Sequence, residues 1–160
     1  MRYFSISLLL SFVAVTVHTP VQAMTADEAR TTLRKISGIE WACDGYQSNI
    51  AQSSRVIMDF DIDFAGKVTG KLTGFAALYN REYRVVARLD GKVHANDGQA
   101  NIRIDKYTIE TADALPANAS WGTWATFDLT VKTEAGKLVM TGVEHGQHGE
   151  VHYTCKPYGT

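Results

Sequence analysis

The chain has 160 residues, 45% of them hydrophobic, with 16 basic and 17 acidic side chains and a formal charge of −1. That length suits one domain, and no linker or low-complexity stretch divides it. Acidic and basic residues are interleaved throughout, which leaves no basic stripe to hold nucleic acid or an anionic lipid surface.

Residues 1–23 read as an export signal. Arg2 supplies a positive start, Phe4 to Val17 is nearly free of polar groups apart from serine and threonine, Pro20 ends the run, and Val21-Gln22-Ala23 offers small residues where a signal peptidase cuts. The apolar run is shorter than the roughly 20 residues that cross a bilayer, and no later segment approaches that length, so no membrane span is expected. The expected product is one β-barrel domain over residues 24–160, secreted or periplasmic.

Thr25 to Ser37 is expected to be helical. Thr25 and Glu28 form a capping box, Gly38 stands where a left-handed C-terminal cap falls, and Ala29, Leu33 and Ile36 share an apolar stripe. After Ile39 the period changes to two, the repeat of a half-buried strand. Val56, Met58, Phe60, Ile62 and Phe64 alternate with Ile57, Asp59, Asp61 and Asp63. Val68, Gly70, Leu72, Gly74, Ala76 and Leu78 form the inward set of the next strand, and Tyr83, Val85, Ala87 and Leu89 that of a third. Further strands are expected near Val93 and over Gln99–Glu110, Thr123–Lys132, Lys137–Glu144 and Glu150–Lys156.

Three connections share a glycine-lysine grammar suited to tight turns: Gly66-Lys67-Val68, Gly91-Lys92-Val93 and Gly136-Lys137-Leu138. A three-residue loop pairing Phe64 with Val68 sets Asp61 opposite Lys71 and Ile57 opposite Phe75. A turn at Asn80-Arg81 then sets Phe75 opposite Val86. Asp59, Asp61 and Asp63 form an acidic row on the solvent face, and the glycine and distant glutamate of an EF-hand calcium loop are missing. Thr111 to Ser120, with Pro116, reads as the longest loop; its sequon at Asn118 matters only in a eukaryotic source.

Short antiparallel strands joined by tight turns leave two edges, and closure into a barrel removes them. Ile39, Trp41 and Cys43 share one face of the first strand; Val151, Tyr153 and Cys155 share one face of the last. Cys43 and Cys155 are the chain's two cysteines, and export would place them in an oxidising space, so a disulfide tying first strand to last is expected. The expected fold is all-β, an antiparallel up-and-down barrel of about eight strands with one N-terminal helix. A β-sandwich is the alternative. The short helix leading through Gly38 to Trp41 on the first strand, followed by the meander of hairpins, resembles the calycins, the lipocalin and avidin group of small barrels. That resemblance implies a barrel mouth that binds a small apolar molecule.

Three clusters carry candidate chemistry. His145, His148 and His152, flanked by Glu144 and Glu150 on a glycine-flexed hairpin, are the residue types that hold zinc, copper or nickel; no cofactor is otherwise expected. Trp121, Trp124 and Tyr107 offer a stacking surface. Ile57, Phe75 and Val86 form an apolar row on an outer face, either a partner surface or a face covered by the helix. The small inward side chains Gly70, Gly74 and Ala76 leave interior space or allow close packing. No nucleophile elbow, phosphate loop or zincin helix occurs, so an enzyme is not expected. The expected function is binding of a small apolar molecule in or at the mouth of the barrel. The alternatives are a protein-interaction module, such as an inhibitor or envelope component, and a metal-binding protein using the histidine hairpin.

Overall fold

Period-two alternation places apolar side chains on one face of each strand, and the strands curl until that face is enclosed. The computed structural model describes residues 25–47, 52–96 and 99–159; the expected export signal lies outside them. A helix, α1 (Ala26–Ile36), precedes eight strands: β1 (Glu40–Gln47), β2 (Gln52–Ile62), β3 (Lys67–Leu78), β4 (Arg81–Asn96), β5 (Gln99–Ala112), β6 (Ala125–Glu134), β7 (Lys137–Gly146) and β8 (Gly149–Pro157). Each strand pairs antiparallel with the next, and β1 pairs with β8 to close the barrel. Cys43 and Cys155 sit directly opposite each other in that closing pair and are disulfide-bonded. At this coarse level the architecture, a closed antiparallel barrel of eight strands, is consistent with a calycin-like fold.

The capping box forms as expected, with Glu28 N–H donating to Thr25 Oγ1 at 3.3 Å and Thr25 N–H donating to Glu28 Oε2 at 2.7 Å. Beyond the helix, Gly38 adopts φ +77° and donates to the Phe60 carbonyl at 2.9 Å. Ile62 N–H donates to Ser37 Oγ at 3.2 Å, which ties the helix end to β2. α1 touches β2, β4, β5 and β6. Because β2 and β6 lie on opposite sides of an eight-strand ring, a helix touching both must cross the opening. Its buried residues Ala29, Leu33 and Ile36 belong to the same cluster as Trp41, Phe60 and Met140. The helix therefore plugs one end, here called the base, and does not cover the outer row of Ile57, Phe75 and Val86. The base half of the lumen is filled: Trp41, Met58, Phe60, Leu89, Ile102, Leu129 and Met140 are each at most 1% exposed.

Both early hairpins keep the expected faces but shift register by two residues. Ile62, not Phe64, pairs with Val68, so Lys71 faces Asp59, and Phe75 faces Arg55 on one side and Arg84 on the other. The first shift arises at Asp63, whose carboxylate accepts from Lys67 N–H at 2.8 Å while its own N–H donates to the Lys67 carbonyl at 3.0 Å. That Asx-type turn uses Asp63 as a cap and leaves Phe64 at the tip. The second arises because Tyr79 and Asn80 both take positive φ (52° and 62°), the signature of a two-residue type I′ turn, with Leu78 paired to Arg81.

The Gly91-Lys92-Val93 grammar does not make a turn. β4 runs continuously through Gly91 with a register irregularity between Asp90 and Gly91. A Cβ at Gly91 would overlap the Arg103 carbonyl, so glycine there permits close approach of β5 and a bend, and the expected separate strand near Val93 is the end of β4.

Candidate functional site

At the end opposite α1 the inward positions change character. Small residues lie among the last inward positions toward this mouth: Gly45 on β1, Ala76 on β3, Ala125 on β6 and Gly146 on β7. Among them stands a polar group. Leu138, Met140, Gly142 and Glu144 alternate along β7, so Glu144 points into the lumen, and Tyr153 is an inward residue of β8. The Tyr153 hydroxyl donates to Glu144 Oε2 at 2.7 Å. Two glycines make room for the pair: a Cβ on Gly45 would overlap the Tyr153 ring and Ser54 Oγ, and one on Gly146 would lie 3.0 Å from Glu144 Oε1. The Tyr153 ring also lies 6.4 Å from Phe127, centroid to centroid.

Burial raises Glu144 above the ordinary carboxyl range, and the Tyr153 hydroxyl and the charge of nearby His148 offset only part of that rise. Tyr107 is pushed up to about 12 by its own burial and by the Glu144 carboxylate. Tyr153 is driven up for the same two reasons. Ser54 Oγ is buried beside Tyr153 without a regular hydrogen bond. Gln47, the last inward residue of β1, donates from Nε2 to the His148 carbonyl and so ties β1 to the β7–β8 turn.

The long loop between β5 and β6 folds over this rim. Asp113 exchanges hydrogen bonds with the Arg84 backbone, and Asn118 Nδ2 donates to the Tyr79 hydroxyl at 2.9 Å. Gln147 Oε1 accepts from both Thr123 N–H and Oγ1, at 3.0 and 2.9 Å, and the His148 ring lies against Gly122. The mouth end of the lumen thus has a polar floor, Glu144 with Tyr153, and an anchored loop at its rim.

The structure separates the residue groups expected from sequence. His145 faces outward between Glu150 (3.0 Å) and Asp128 (3.8 Å), His152 is exposed on the outer face of β8, and His148 sits in the turn at the mouth. Among the described residues no group of three or more His, Cys, Asp or Glu side chains is arranged to hold a metal ion. Tyr107 lines the lumen, whereas Trp121 is partly buried with its indole N–H on the Asp113 carbonyl at 2.8 Å, and Trp124 stands 55% exposed at the start of β6. Ile57, Thr73 and Val86 align across three strands, and Phe75 lies one rung away with the Arg55 guanidinium 5.5 Å from its ring centre, so charged side chains interrupt the apolar row. The lumen group of Glu144, Tyr153, Ser54 and Gln47 was not assembled from sequence. The available signal was β7's own alternation, which carries Glu144 inward after Met140 and Gly142.

A buried carboxyl that prefers its proton makes stability depend on pH. With the folded-state value above the ordinary 4.5, the native state keeps a proton that the unfolded chain has released, so stability present at low pH is lost as pH climbs from 4.5 through the raised value. Glu144→Gln retains an acceptor for Tyr153 and removes the titration. The variant is expected to gain a few degrees of Tm over wild type as pH rises from about 4 to about 8. Parallel melting curves across that range would show that Glu144 titrates normally.

Compared with known proteins, the chain matches no family, no curated protein and no solved structure.

Proposed function

We propose that this protein binds a small molecule at the mouth of its barrel and performs no chemistry on it, acting outside the cytoplasm where a disulfide persists. One observation carries the reading. Glu144 stands inside the lumen with a Tyr153 hydroxyl as its partner, and among the described residues no lysine, arginine or histidine nitrogen lies within ion-pair distance of it. Burying such a group costs stability that an apolar side chain at the same position would not, and perturbed carboxyls cluster at functional sites. The base half is filled by large apolar side chains, so a ligand would sit at the mouth end, where Glu144, Tyr153 and Tyr107 line the lumen. The expected ligand is therefore amphipathic: an apolar body at the rim and a polar group on the floor.

Native mass spectrometry of the oxidised protein, together with titration of a fluorescent apolar probe, tests this. Wild type is expected to carry a small-molecule mass lost on denaturation, or to bind the probe. Ala76→Phe, which fills the mouth from β3, is expected to weaken binding at least tenfold, equivalent to about 1.4 kcal/mol. Bare mass and no probe binding by folded wild-type protein would overturn the reading.

A further inference from the structure

The Glu144–Tyr153 pair on the floor of the mouth is chemically asymmetric. Tyr153 satisfies Glu144 Oε2, while nothing among the described residues donates to Oε1, which lies on the side left open by Gly146. The groups facing the carboxylate are the phenols of Tyr107 and Tyr153 and the imidazole of His148. None is a permanent cation. A largely buried carboxylate with one free oxygen, and with the His148 imidazole as the nearest source of positive charge, has the form of half an ion pair. Tyr107 also lines the lumen near it, and a phenol ring is a group to which an ammonium is attracted.

We infer that the mouth takes a small organic cation, a primary ammonium on an apolar body, with the ammonium donating to Glu144 Oε1. The assignment rests on the proposed binding at the mouth and names the ligand class. An anion of the same body would meet Glu144 as a like charge, and a neutral alcohol would fill the hydrogen bond but leave the carboxylate uncompensated. Cation binding also favours the ionised carboxylate, so it is linked to loss of the Glu144 proton. Affinity must rise with pH until Glu144 is fully ionised, while an alkylammonium stays protonated throughout.

Isothermal titration calorimetry with octylammonium, 1-octanol and octanoate, each below its aggregation concentration, separates the cases. The expected order is octylammonium at least about tenfold tighter than octanol, with octanoate weakest. Octylammonium affinity is expected to climb by up to about tenfold per pH unit below the Glu144 pKa. Glu144→Gln should flatten that dependence and bring octylammonium down to the level of octanol, which also separates Glu144 from His148 as the source of the pH effect. The wild-type pH series stands independently of how well the variant folds. If octanol binds as tightly as octylammonium, without pH dependence, the cation assignment fails while binding at the mouth survives. If none of the three probes binds, both fail.

Discussion

Reducing the Cys43–Cys155 bond, or replacing both cysteines by alanine, is expected to lower the unfolding free energy by about 4 to 5 kcal/mol. The reason is topological. The two cysteines are 112 residues apart in sequence yet face each other across the β1–β8 pair that closes the barrel. In the oxidised unfolded chain most of the molecule remains a loop, and opening that loop restores conformational entropy to the unfolded state. Little changes in the native state, because β1 and β8 still pair backbone to backbone from Trp41 to Tyr46. Against a typical domain stability of about 5–15 kcal/mol the loss is a large fraction. Urea unfolding with and without reductant measures it. The midpoint should fall, and the denaturant slope should rise as the unfolded chain expands. A change below about 1 kcal/mol would mean that the strand ladder, and not the covalent tie, holds the seam.

Trp41→Ala is expected to cost about 3–5 kcal/mol, and Trp41→Phe much less than half of that. Trp41 is fully buried on β1, opposite Met58 on β2 and Pro157 on β8. It shares the core cluster with Ile36, the last residue of the helix that plugs the base. Truncation opens a large void at the junction of helix and first strand, where neighbours on three elements would have to collapse together to fill it. The phenylalanine variant loses some packing but also removes the indole N–H, which is buried without a hydrogen-bond partner in the native fold. Chemical denaturation of both variants distinguishes packing from polarity. Equal losses would show that the indole N–H finds a partner and that its satisfaction, not volume, sets the cost.

Strand faces were legible because a side chain's face depends only on its parity along the strand. The inward set of Val56, Met58 and Phe60 and that of Val68 and Leu72 stayed inward although both hairpins moved by two residues. Register was not legible to the same degree, because it depends on which residue caps the turn. Asp63 used its side chain to do so, and Tyr79 accepted a positive φ that its residue type disfavours. Gly91 shows the opposite ambiguity: a glycine before lysine and valine has the composition of a hairpin, yet here it serves close backbone contact within a long strand.

The chain's sequence by itself determined the capped helix, the alternating strands, the antiparallel meander and the disulfide, since each follows from neighbours in sequence or from a pair with only one possible partner. Closure decided the rest. Only when β8 returned to β1 did Gly45, Ser54, Glu144 and Tyr153, drawn from β1, β2, β7 and β8, come to share one end of one lumen. Closure also turned His145 and His152 to the outer wall while Glu144, one residue from His145, went in. Periodicity sets which way a side chain points. Which side chains meet across a barrel depends on shear and on strand order summed around the whole ring, which no single segment contains.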